Sequence, residues 1–288
     1  MKRLLFVNCL AVVLCVLPVT LLGQTVAPVG MVVDLQGPVS ATDQGKSARI
    51  EVMSYLRPQM EIQLGAGAKI AVTLYVNSSE NRYDGPARLR VLADKILVLQ
   101  GESGQERALG EARVSAAKRV ASTRLAQAAI MMRSVRTGQD AVAVVPARGS
   151  RIMVLNPVFR WPAQAAGSKL HFELRRAGGE LVYQAAASGE ALQLPAANAL
   201  QWGQRYRWSV RAEPASAVPA EGEFEVITRE QLMDLAARRP PNDAPFSDWV
   251  LFAAALDDLA LYADSKEVWQ WLSIQRPDDE NLKRLANL

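Results

Sequence analysis

The chain has 288 residues, of which 50% are hydrophobic and 22% charged. That composition excludes wholesale disorder and collagen-like repeats, and the length suits about two domains. A single histidine, His171, and two cysteines, Cys9 and Cys15, leave little material for metal, thiol or imidazole chemistry.

Lys2 and Arg3 precede a nearly unbroken apolar run from Leu4 to Leu22. A basic start followed by an apolar stretch has the form of a secretory signal, expected here to span residues 1–23 with cleavage after Gly23. Cleavage after Ala27 is second, and an uncleaved inner-membrane anchor is the alternative. Both cysteines fall inside this run, behind Asn8 and Leu14, so neither suits lipid attachment. The exported chain then lacks cysteine and uses no disulfide in an oxidising compartment. Taking Lys2 and Arg3 from the 33 basic residues leaves 31 against 29 acidic ones, so the basic balance is no argument for nucleic acid.

Residues 29–101 read as a small antiparallel β domain. Gly30–Leu35 forms an apolar strand ending at the Gly37-Pro38 turn. Ile70, Val72, Leu74 and Val76 alternate with Lys69, Ala71, Thr73 and Tyr75, the period of a strand with one buried face. Asn77–Asn81 reads as a polar loop and Asp84-Gly85-Pro86 as a turn. Val29-Gly30, Gly37-Pro38-Val39, Leu64-Gly65-Ala66-Gly67-Ala68 and Tyr83-Asp84-Gly85-Pro86-Ala87 resemble the FecR-type periplasmic domain. The resemblance implies a noncatalytic β module of envelope signalling or surface-associated proteins. Only three residues precede the apolar run, which departs from family members that control sigma factors, so that role is not expected.

Residues 102–141 read as an Ala-rich basic connector. It carries Arg113, Lys118, Arg119, Arg124, Arg133 and Arg136, while Val114, Ala117, Leu125 and Ala128 give only a weak apolar stripe, and it reads as a solvated, partly helical linker or a basic surface for anionic lipid or glycan.

Residues 142–227 regain strand alternation. Asn156-Pro157-Val158-Phe159-Arg160-Trp161, followed by Leu200-x-Trp202-Gly203 and Tyr206-x-Trp208-x-Val210-x-Ala212, resembles a fibronectin type III or Ig-like sandwich. Trp161 and Tyr206 or Trp208 are expected to fill the space between its sheets. Ala177-Gly178-Gly179-Glu180 makes a hairpin turn. If the strands at 169–175 and 205–211 are neighbours, Lys169, Arg175, Arg205, Arg207 and Arg211 share one exposed face opposed only by Glu173. That face is a candidate surface for an acidic protein or an anionic cell-wall polymer, or else simply a solvated face. His171 is expected at the surface.

Residues 228–288 read as helical. Thr228-Arg229-Glu230-Gln231 is a capping box, and Pro240-Pro241 ends the first helix. Further helices carry Trp249, Phe252, Leu256 and Leu259, then Val268, Trp269 and Leu272, then Leu282 and Leu285. The stretch 248–277 resembles one tetratricopeptide-type hairpin. A single hairpin cannot bury its apolar face alone. Trp249, Trp269 and Trp271 therefore pack on the sandwich, on another chain, or serve as a docking face.

The fold class is thus mainly β with a C-terminal α segment. Walker, dinucleotide-binding, zinc-protease and nucleophile-elbow motifs are absent from the sequence. Asp257-Asp258 and Asp278-Asp279-Glu280 are the paired carboxylates that a glycan hydrolase would need. Neighbouring acids on a helix diverge, and the second set suits a helix start. The expectation is an exported, noncatalytic envelope protein with no cofactor and no metal, a protein-interaction or scaffold module for an envelope protein partner. A membrane-anchored sensory component and a cell-wall glycan-active enzyme are the alternatives.

Overall fold

The computed structural model describes residues 27–110, 114, 118–119, 144–163, 169–213 and 220–287. The N-terminal stretch read as a secretory signal and most of the basic connector lie outside them.

The first β module contains β1 (Gly30–Gln36), β2 (Val39–Asp43), β3 (Lys46–Ala48), β4 (Tyr55–Leu56), β5 (Glu61–Leu64), β6 (Lys69–Leu74), β7 (Ser79–Asp84), β8 (Ala87–Val91), β9 (Ile96–Gln100) and β10 (Gln105–Ala108). They form two five-stranded sheets, ordered β10-β7-β6-β1-β4 and β3-β2-β5-β8-β9. Val32, Ile62, Leu64, Ile70, Val72, Leu89 and Val91 fill the space between them. The two glycine-rich turns meet: an added Cβ on Gly85 would stand 1.9 Å from the Gly65 carbonyl oxygen, so only glycine closes that contact.

Two expectations change here. The polar stretch Asn77–Asn81 is a loop only in its first part, because β7 begins at Ser79 and pairs with both β6 and β10. Strand β10 also extends the module past residue 101, into what reads in sequence as connector.

The second module contains β11 (Ser150–Ile152), β12 (Val158–Arg160), β13 (Lys169–Arg176), β14 (Leu181–Ala187), β15 (Ala191–Gln193), β16 (Arg205–Glu213) and β17 (Ala220–Val226). A five-stranded sheet, β11-β17-β16-β13-β14, faces the pair β12-β15. Phe159, Trp161, Phe172, Tyr206, Trp208 and Phe224 pack between them, with the Phe159 ring 4.8 Å from Phe172 and 5.5 Å from Trp208. Such tilted and edge contacts suit the quadrupoles of aromatic rings. Trp208 donates its indole N–H to the Pro146 carbonyl at 3.0 Å, and Gly222 lies opposite Trp208 where a side chain would obstruct that bond.

Four helices follow: α1 (Arg229–Arg238), α2 (Phe246–Asp258), α3 (Tyr262–Gln275) and α4 (Glu280–Ala286). Thr228 and Gln231 make the reciprocal capping box that starts α1. Asp279 caps α4, accepting from the amides of Asn281 and Leu282.

The helices do not lie on the sandwich alone. Trp249, Val250, Leu251, Ala253, Trp269, Leu272, Leu282 and Leu285 pack with Met31, Val33 and Ala71 on the outer face of the first module's β1–β6 pair. This is why Ala71 and Thr73 in β6 are buried, where alternation alone implies one wet face: helices cover the second face. Helix α2 is apolar nearly all round, as an element enclosed on several sides must be. Ile227, Leu235, Leu256 and Leu261, with Met153 and Trp202 beside them, join the helices to the end of the sandwich. No helix among the described residues is long and apolar enough to cross a membrane.

Candidate interaction surfaces

Strand register decides the charge of the sandwich's outer face. Residues directly opposite in an antiparallel pair point to the same side. The pairing of β13 with β16 sets Lys169 opposite Glu213, His171 opposite Arg211 and Arg175 opposite Arg207. Lys169, Arg175, Arg205, Arg207 and Arg211 thus share one face. The next strand changes its character, because β17 sets Glu225 opposite Arg205, Glu223 opposite Arg207 and Glu221 opposite Ser209.

Arg205 reaches Glu225 at 2.9 Å, Arg207 reaches Glu223 at 3.3 Å, and Arg175 pairs with Glu173. Arg151 on β11 adds a second cation to Glu225 at 3.3 Å. The expectation of a basic face opposed only by Glu173 is therefore corrected: the cationic stripe is one side of a ladder whose other side is the acidic stripe of β17. The alternation Glu221-Gly-Glu223-Phe-Glu225 carried that signal in the sequence. His171 is exposed and lies 3.5 Å from Glu213.

The tryptophans divide. Trp249 and Trp269 are 7% and 2% exposed, enclosed by the contacts that seat the helices on the first module, which takes both off any docking face. The Trp269 indole N–H also donates to Asp257 at 3.1 Å. Trp271 remains 40% exposed, its ring 5.4 Å from Trp249, with Ile274 one turn on and more exposed still. The paired acids are engaged as well: Asp258 accepts from Arg119 at 2.7 Å, and Asp279 accepts from the Val52 amide at 2.9 Å.

A polar junction that sequence reasoning missed ties the helices to the edge of the first sheet. Glu80, fully buried, receives Arg82 at 2.5 Å and Arg107 at 2.7 Å. Arg107 also reaches Asp248 at the start of α2, at 2.6 Å. The hydrogen bond to Asp248, then that to Glu80, holds the Arg107 guanidinium well above its ordinary pKa against the opposing pull of burial. Arg276 makes a two-pronged pair with Asp34, both contacts 3.0 Å, and stacks 4.2 Å above the Phe246 ring. No local motif announces the two pairs that tie helix to strand, since Arg107 and Asp248 are 141 residues apart and Asp34 and Arg276 are 242. Asp264, half-buried early in α3, has its carboxyl pushed up to about 6 by burial and by neighbouring Glu267.

Between the sandwich and the end of α2 lies a cleft of about 490 Å³ lined by Arg148, Arg151, Arg205, Glu223, Glu225 and Asp258. Cations and anions are equally represented, so it has no strong preference for either sign. Among the described residues no group of three or more His, Cys, Asp or Glu side chains converges to hold a metal.

No family model matches the chain, and no curated protein matches it significantly. Among solved structures, CopC from Methylosinus trichosporium OB3b is 18% identical over 31% of this chain and 92% of its own, with a TM-score of 0.23. The fibronectin(III)-like modules of Clostridium thermocellum CbhA are 11% identical over 30% of this chain and 97% of theirs, with a TM-score of 0.22. At those scores neither likeness adds to the sandwich, which rests on its own strand pairing and aromatic core.

Proposed function

We propose that this chain is an exported, noncatalytic scaffold of the cell envelope, built to hold two β modules in a fixed arrangement for assembly with an envelope protein. The first module is taken as FecR-like and the α2–α3 hairpin as tetratricopeptide-like. The observation that carries the proposal is the placement of the helices. Their apolar side chains pack on the outer β1–β6 face, while Ile227, Leu235, Leu256 and Leu261 join them to the sandwich. Each large apolar side chain buried in this way contributes about 1.5–3 kcal/mol. The apolar helical surface is thus used mainly inside the molecule, as a brace between modules, and among the described residues Met233, Tyr262, Trp271 and Ile274 are the large apolar helical side chains left exposed for a partner.

An anionic polymer is a weaker partner class, because the acids of β17 neutralise the cations that would attract it. The test is fractionation of cells producing the full chain, followed by affinity capture from envelope extract. Recovery in the envelope with a defined protein partner supports the proposal. A cytosolic location, or turnover of a cell-wall glycan that an acid-to-amide substitution abolishes, overturns it.

A further inference from the structure

A polar groove of about 390 Å³ opens where the helical layer meets the outer face of β1, β6, β7 and β10. Pro245 and Phe246 at the start of α2 and Arg276 after α3 form its wall. Strand register lays out its floor in two rows. Asp34, Ala71, Arg82 and Gln105 stand side by side across the four strands, and Gln36, Lys69 and Asp84 form the next row.

The polar groups of this floor are engaged unequally. Arg276 and Asp34 satisfy each other through two contacts of 3.0 Å. Arg82 gives its Nε to Glu80 and one terminal nitrogen to Ser247 at 3.3 Å, while its other terminal nitrogen has no partner among the described residues. The Gln105 side chain likewise makes no hydrogen bond among them. Lys69 and Asp84 stand 3.9 Å apart, too far for a hydrogen bond, with side chains 65% and 73% exposed. Lys69, Arg82 and Arg276 balance Asp34, Asp84 and Glu80, three against three, so the groove exerts no net pull on an ion of either sign. What it offers instead is a pair of separated opposite charges. Asp84 is a free carboxylate, and two residues back along β7 Arg82 presents a free guanidinium edge beside the Gln105 carboxamide.

We propose that this groove binds the zwitterion of a dipeptide, its ammonium on Asp84 and its carboxylate on Arg82 and Gln105. The spacing selects the length. Residues two apart on a strand are about 6.6 Å from one another. Two residues of extended peptide span at most about 7 Å, and a single amino acid only half of that. The carboxylate end lies next to α2, because Arg82 reaches Ser247, so an apolar second side chain meets Pro245 and Phe246. Drawing Asp84 away from Lys69 loses little, since so exposed a pair contributes little, and it frees the ammonium of Lys69 for the peptide carbonyl. This site goes beyond the scaffold role and does not rest on it.

The test is saturation-transfer NMR of the full chain in mild detergent, titrated with alanyl-leucine and read at the leucine methyls. Contacts this open to water predict saturable binding with a dissociation constant of about 1 mM. N-acetyl-alanyl-leucine and alanyl-leucinamide each remove one charge, and free leucine removes the spacing. Each should bind about three- to fivefold more weakly. Asp84→Asn should weaken the free dipeptide by the same factor and leave the acetylated form unchanged, whereas Gln105→Ala should weaken both. Both positions are exposed and lie outside the Glu80 junction, so thermal unfolding of either variant should match that of the parent. Absence of saturable binding up to about 20 mM dipeptide overturns the proposal. So does a blocked form that binds as well as the free dipeptide, or an Asp84→Asn chain that binds it as the parent does.

Discussion

Replacing Arg107 by methionine removes the guanidinium that joins β10 to the start of α2 while keeping most of the side chain's length. The lost contacts are 2.7 Å to Glu80 and 2.6 Å to Asp248. Glu80 is fully buried and then keeps only Arg82, itself nearly half-exposed. Breaking a fully buried pair costs about 3–5 kcal/mol, but the outer side of Arg107 meets water, which reduces the expected loss to about 2–3 kcal/mol. That is about 30- to 150-fold in the equilibrium for lifting the helices from the sheet. Native-state hydrogen exchange reads this locally: amides of Val250–Ala254 in α2 should lose protection by that factor, while those of Tyr206–Val210 in β16 should not change. A loss below about threefold, or one shared equally by both modules, refutes the assignment of Arg107 as a clamp between helices and sheet.

Three further outcomes follow from separate parts of the fold. Gly222→Ala puts a Cβ 2.4 Å from the Pro146 oxygen and 2.5 Å from the Trp208 indole nitrogen, and should destabilise the sandwich by about 1–3 kcal/mol in urea unfolding. The Asp264 carboxyl, at about 6 in the fold, stands above its ordinary value of 3.8, so between those pH values the folded chain holds more protons than the unfolded one and stability falls as pH rises. Asp264→Asn should abolish that fall and gain about 1–2 kcal/mol at pH 7 after solvent screening, measured by denaturant midpoints across pH 4–7. Glu223→Gln with Glu225→Gln unmasks Arg205 and Arg207, so retention on dextran sulfate should move to higher salt, and unchanged elution counts against the charge ladder.

Local pattern was enough wherever a few neighbouring residues determine the outcome. The sandwich aromatics, the Gly178-Gly179 turn and the Thr228 capping box were legible because propensity and periodicity act over fewer than about ten residues. The single-faced reading of β6 failed for a reason that lies outside the strand: Thr73 is buried by helices more than 170 residues later in the chain. The basic face failed in the same way. Lys169, Arg175, Arg205, Arg207 and Arg211 do share a side, yet the sign of the surface depends on which strand borders β16, and β17 brings Glu223 and Glu225. Trp249 and Trp269 had the right spacing for a helical apolar face, but spacing does not say which sheet that face meets. The Glu80–Arg107–Asp248 junction had no sequence signature, because long-range ion pairs are set by tertiary approach.

The central claim is that the C-terminal helices rest on the first β module of their own chain. Arg284 in α4 reaches Glu51 at 2.9 Å at the rim of that contact. Cysteines introduced as Glu51→Cys and Arg284→Cys, with Cys9 and Cys15 changed to serine, should be joined by a short bis-maleimide within one chain, giving a faster-migrating monomer at high dilution. Cross-linking only between two chains, or none at all, would contradict the brace.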